Sequence, residues 1–161
     1  MKLFNLKICS LFIISFVIIG SLSSCDKSDA LTSTAALRTK EIVLNATSGS
    51  AVTGKAVIAE NADHSFNVQI TLQNTVKDTV HVMHIHNGSI AYPGNISIPL
   101  TDIKGTGGQA TATTLNIKSA TTVGGVAKPL TYDSIIIYKG YFNVHYSAAQ
   151  IDKIIANADI K

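Results

Sequence analysis

Between Ser65 and Gln73, the apolar residues Phe66, Val68, Ile70 and Leu72 alternate with Asn67, Gln69 and Thr71. A period of two sends successive side chains to opposite faces, so this stretch can bury one face as a strand and offers no helical stripe. Shorter stretches of similar character occupy Glu41–Thr47, Val52–Glu60, Val80–Gly88, Ile96–Leu100, Gln109–Ile117 and Tyr141–Tyr146, and Leu130–Tyr138 reads as a further strand on its Ile135-Ile136-Ile137 run. Turn residues separate them at Ser48-Gly49-Ser50, Asn61-Ala62-Asp63-His64, Tyr92-Pro93-Gly94, Lys104–Gly108 and Lys139-Gly140. Pro99 cannot donate to a ladder, which predicts an edge position for its strand. Lys118–Lys128 reads as a flexible loop. Ser147–Lys161 permits a short helix or a closing strand, and a turn followed by a strand is the preferred reading. About eight short strands with no long amphipathic helix predict an all-β, antiparallel sandwich or barrel with one modest core.

The front of the chain is different. Lys2 and Lys7 precede the apolar run Ile8–Ile19, which is shorter than the roughly 20 residues that span a bilayer. Small residues follow, ending in Leu22-Ser23-Ser24-Cys25. A basic start, a short apolar run and small residues before a cut make an export signal. The ending resembles the lipobox of bacterial lipoproteins, which implies cleavage before Cys25 and acylation of its sulfur. This predicts a signal peptide over 1–24, a Ser-, Thr-, Ala- and Asp-rich tether over 25–39, and a folded domain over 40–161.

Cys9 leaves with that signal and Cys25 carries lipid, so the mature domain has no thiol for a disulfide, a thiolate metal site or thiol catalysis. Removing Lys2 and Lys7 leaves 11 basic residues against 10 acidic ones, a formal charge near +1. No basic run or stripe remains, which argues against nucleic acid as a partner. Nucleoside-phosphate loops, nucleophile elbows and glycosidase-like carboxylate pairs are absent from the sequence.

Three of the five histidines fall in Val80-His81-Val82-Met83-His84-Ile85-His86-Asn87-Gly88. On a strand, His84 and His86 share a face with Val82, opposite His81, Met83 and Ile85. If Met83 and Ile85 enter the core, the two imidazoles stand together outside it. Such a pair can share a metal ion, or it can simply hydrogen-bond on a solvated face. His81 has the wrong parity to join them without a bulge. His64 sits in a turn.

The chain resembles the chordin-like (CHRD) domain in three places. These are Thr53-Gly54-Lys55-Ala56-Val57 with the alternating strand that follows, Met83-His84-Ile85-His86-Asn87-Gly88, and Gly140-Tyr141-Phe142-Asn143-Val144-His145. The resemblance covers roughly 40–161 and departs after His145, where Asp152-Lys153-Ile154-Ile155-Ala156-Asn157 replaces the family's Gly-Glu-Ile-Arg-Gly-Gln run. It implies a Greek-key sandwich, immunoglobulin-like or superoxide-dismutase-like, in exported proteins that often act as interaction modules. The family's histidines fall on His84, His86 and His145. His145 shares a face with Tyr141 and Asn143, opposite Phe142 and Val144, so neighbouring strands would bring the three imidazoles together.

Three neutral imidazoles suit Cu(II) or Zn(II), with water or a carboxylate such as Asp102 or Asp133 in a fourth position. The His-x-His strand also resembles the copper half of Cu/Zn superoxide dismutase. No bridging histidine, zinc loop or cysteine pair accompanies it, and the single arginine, Arg38, lies in the tether. The full enzymatic activity is therefore not expected. Two readings follow: a lipid-anchored, non-enzymatic binding module of the bacterial envelope, held at the inner or outer membrane and meeting an unidentified protein or envelope partner, or a copper- or zinc-binding lipoprotein. The mature N-terminal peptide is expected to show an acyl mass on Cys25 by mass spectrometry, and Cys25→Ser should abolish it.

Overall fold

The computed structural model describes residues 37–161. The expected leader and Cys25 lie outside these residues. The first strands are β1 (Thr39–Ala46), β2 (Thr53–Glu60), β3 (Phe66–Gln73), β4 (Val80–His81), β5 (Met83–Gly88) and β6 (Pro93–Pro99). Then come β7 (Ile103–Lys104), β8 (Ala110–Ile117), β9 (Ser119–Thr121), β10 (Ala127–Pro129), the helical turn α1 (Tyr132–Ile135), β11 (Gly140–Ser147) and β12 (Gln150–Asp159).

Eight strands form one antiparallel sheet in the order β6-β5-β11-β12-β1-β2-β3-β8. β1 is where the sheet bends: Thr39–Leu44 pair with β2, whereas Asn45 and Ala46 pair with Asn157 and Ala156 of β12. Changing partners within one strand lets the sheet curl over a core without leaving backbone groups unpaired. The outer strands are linked across the open side by Thr101, whose N–H donates to Thr114 Oγ1 at 2.8 Å. The all-β expectation holds, and the chain crosses between halves after β3, β6 and β8, as in sandwich folds.

The alternating residues enter one core. Phe66, Val68, Ile70 and Leu72 of β3 face Met83 and Ile85 of β5 and Phe142 and Val144 of β11 within the same buried cluster. Burial of each such side chain stabilises the fold by about 1.5–3 kcal/mol before entropy is counted. β6 is an edge strand bounded by Pro93 and Pro99, as the proline predicted. β12 supplies the closing strand at the C-terminal end.

Three expectations change. Leu130–Tyr138 is not a strand: Thr131 and Ser134 form a reciprocal capping box that starts α1, and Ile135 is buried beneath it. The Lys118–Lys128 loop contains the small β9–β10 hairpin, closed by Thr122 N–H donating to the Val126 carbonyl at 2.8 Å. The long histidine strand breaks at Val82, because β4 pairs with β7 while β5 pairs with β6 and β11.

Arg38, read as tether, is instead tied to the domain. Its Nε and Nη2 donate to the two oxygens of Glu60, each at 2.8 Å, and Nη1 lies 2.7 Å from Asp133 Oδ1. The guanidinium also lies over Tyr132, 4.8 Å from the ring centroid. The Arg38 bond, followed by the His64 contact, holds the Glu60 carboxyl well down, to about 2 from an ordinary 4.5. A depressed folded pKa contributes stability above the unfolded value that is lost as pH falls through the folded one. Arg38→Ala should therefore melt at a lower temperature than wild type near neutral pH, with the gap closing between pH 4.5 and 2. Circular dichroism melts across that range check this, and a gap unchanged at pH 2 would contradict it.

Candidate metal centre

The β5–β11 register decides which side chains meet. Ile85 pairs with Phe142 and Met83 with Val144 on the core side, whereas His84 pairs with Asn143 and His86 with Tyr141 on the other. His145 follows on the same outer face of β11. One nitrogen from each of His84, His86 and His145 lies within 4.8 Å of the others. His84 Nδ1 and His145 Nε2 are 3.4 Å apart. Two nitrogens bound to one ion at about 2.0–2.1 Å, with tetrahedral to trigonal angles, would be roughly 3.3–3.6 Å apart. That pair already has the spacing of co-ligands.

The outward parity does not make all three solvated. His84 and His86 are half-buried, but His145 is only 4 % exposed. The cause is a bulge. β12 loses register with β11 on either side of His145, which places the Ile151 carbonyl against His145 Nδ1. β6 likewise loses register on either side of His86, and the Gly94 carbonyl sits 3.0 Å from His86 Nδ1. Bulges re-aim groups next to functional sites in this way.

These two carbonyls fix the chemistry of the rings. A carbonyl can only accept, so Nδ1 carries the proton in both His86 and His145, and each Nε2 presents a lone pair. Ligating histidines are held by just such an outer hydrogen bond. His86 Nε2 is buried with no hydrogen-bond partner. Leaving such an atom unpaired costs about 1–3 kcal/mol, which a bound cation would offset.

The electrostatics favour neutral rings. Burial first, then the neighbouring His145 and His86, hold His84 below its ordinary pKa, with Asp102 opposing. Burial also lowers His145, against the Ile151 hydrogen bond. Neutral imidazole is the ligating form. Tyr141 is buried and stacked on His86, ring centroids 5.1 Å apart and planes at 25°, which restrains that ring from its second side.

The other candidates stay apart. His81 is fully buried on the core side, its Nδ1 donating to the Tyr146 carbonyl at 2.8 Å and its Nε2 accepting from Val76 N–H at 3.2 Å. It is a satisfied core histidine. His64 is an exposed turn residue bonded to Glu60. Asp133 is engaged by Arg38, and Asp102 lies outside the ligand group. The carbonyls of Gly94 and Ile151 were not foreseeable, since backbone acceptors placed by bulges leave no side-chain signal.

Comparison with family models, curated proteins and solved structures finds no match for this chain.

A Cβ on Gly94 would lie 1.8 Å from Asn87 Oδ1 and 2.4 Å from the Asn87 carbonyl, so only glycine lets the β6 carbonyl reach His86. Gly94→Ala should release the His86 Nδ1 proton from its acceptor while leaving His145 as it is. Imidazole ¹⁵N chemical shifts report the tautomers directly, and unchanged His86 shifts in the variant would contradict this account.

Proposed function

We propose that this domain binds a copper or zinc ion through His84, His86 and His145, as part of an exported, lipid-anchored protein of a bacterial envelope. The observation that carries the reading is the pair of backbone carbonyls that fix two Nδ1 protons and leave His86 Nε2 buried and unpartnered beside the other two rings. A structural histidine cluster has no need of an orphaned nitrogen.

Three imidazoles and no thiolate suit Cu(II) and Zn(II) alike. When bound, such an ion supplies a Lewis-acid centre. Three protein ligands leave a further position for water or an exchanging ligand, as in open rather than closed zinc sites. His84 is half-exposed, which gives that position a path to solvent. The chain's own part is to hold the rings neutral, oriented and partly shielded. Arg38, occupied by Glu60 and Asp133, is not available to steer anions into the site. The activity that fits is metal capture or weak redox exchange.

The chordin-like resemblance of the Met83–Gly88 and Gly140–His145 segments supports the broader reading of a non-enzymatic binding module, here one whose ligand is the metal. The lipobox-like Leu22–Cys25 supports envelope anchoring.

Protein purified without a polyhistidine tag is expected to take up one Cu(II) or Zn(II) per chain by elemental analysis. His86→Ala should weaken binding by more than the roughly 10–100-fold that loss of an outer hydrogen-bond partner costs, and His84→Ala/His86→Ala should abolish stoichiometric uptake. Wild type that takes up neither metal, or a double variant that takes up as much as wild type, would overturn the proposal.

A further inference from the structure

Hydrogen bonds stitch the loops beside the start of β1 into one end of the domain. Glu60 N–H donates to the Arg38 carbonyl at 2.9 Å, Tyr132 N–H to His64 at 2.9 Å, Gly88 N–H to Lys139 at 3.0 Å and Ile160 N–H to Gly140 at 2.9 Å. Lys40 Nζ joins the Ile136 and Ile160 carbonyls at 2.7 and 2.8 Å. The β9–β10 hairpin reaches the same layer, where Val123 and Lys128 line a depression with Asn87 and Tyr138.

This end is apolar in an unusual way. Of the eleven exposed large hydrophobic residues among the described ones, six project from its loops: Leu37, Ile90, Tyr92, Val123, Val126 and Ile137. Tyr92 is 82 % exposed and Val123 is 73 % exposed. Ile90 and Tyr92 stand on the β5–β6 turn, Val123 and Val126 on the β9–β10 turn, and Leu37 and Ile137 on two further segments, so the apolar side chains are spread over several loops. Lys128, Lys139 and Lys161 stand among them, and among the described residues no carboxylate lies within ion-pairing distance of these three. Arg38 is shared between Glu60 and Asp133, Lys118 pairs with Asp63, and Asp159, which lines the same depression as Tyr92, Lys139 and Lys161, accepts from Ile90 N–H at 2.9 Å. Free ammonium groups interspersed with projecting apolar side chains match the headgroup layer of an anionic bilayer.

We propose that this end of the domain lies directly against an anionic lipid surface, the exposed residues entering the headgroup layer and the three lysines meeting lipid phosphates. The inference rests on the anchored reading of Cys25. The chain enters the fold at this end, where Arg38 is fixed, and the 12 residue steps from Cys25 to Leu37 reach at most roughly 40 Å. A lipid at Cys25 therefore holds this end at high effective concentration beside the membrane, so contacts too weak to bind from solution suffice.

The test uses the full lipidated protein reconstituted into vesicles of phosphatidylglycerol and phosphatidylethanolamine. A fluorophore is attached through Val123→Cys or, at the turn after β1 on the opposite end, Ser48→Cys. Nitroxide-labelled lipids should quench the label at 123 several-fold more than the label at 48. Lys128→Glu/Lys139→Glu should bring the two to the same level while the protein still sediments with the vesicles. Equal, low quenching at both positions in sedimenting protein overturns the proposal and leaves the anchor intact. So does energy transfer between labels at 123 without lipid quenching, which assigns the surface to a second copy. Protein that fails to sediment refutes the anchor, and the proposal with it.

Discussion

The antiparallel pairing of β5 with β11 is the constraint on which the rest depends. It commits Met83, Ile85, Phe142 and Val144 to the core, each at most 1 % exposed. Slipping either strand by one residue would exchange these side chains for imidazoles and an asparagine, at the expense of several buried apolar groups. Core burial therefore locks the register, and the register places His84, His86 and His145 on one outer face. Their convergence is a by-product of hydrophobic packing on the other side of the same two strands.

Bulges turn that convergence into a site with defined chemistry. A regular ladder would have directed the carbonyls of β6 and β12 along the sheet, into backbone pairing. The register shifts at His86 and at His145 free Gly94 and Ile151 to accept from ring nitrogens instead. Each ring then has one nitrogen committed and one presented. Tyr141, stacked on His86, removes a rotational freedom that a metal would otherwise have to restrict. Preorganisation of this kind spares a binding event much of its ordering cost.

At one end, Arg38 plays a comparable organising part. Its bidentate bond to Glu60 and its contacts with Asp133 and Tyr132 join the beginning of β1 to the end of β2 and to α1. That junction determines where the chain leaves the domain. It also lies within the loop layer that carries the exposed apolar residues and unpaired lysines, so the point of exit and the character of the surface coincide.

The alternation of Phe66–Leu72, the turn residues between strands, Pro99 at an edge and the common parity of His84 and His86 could all be read from the chain, because each depends only on neighbours a few residues away. The helical turn at Tyr132–Ile135 was hidden by the apolar run that follows it, and Arg38 was hidden by its polar surroundings, since its partners Glu60 and Asp133 are distant in sequence. The sequence alone determined the all-β character and which side chains could carry metal chemistry, through local periodicity and residue type. Only the tertiary structure decided that β5 and β11 are neighbours, that bulges aim two carbonyls at two imidazoles, and that His145 is buried although it faces outward. Those outcomes follow from long-range pairing and register, which no short window of residues specifies.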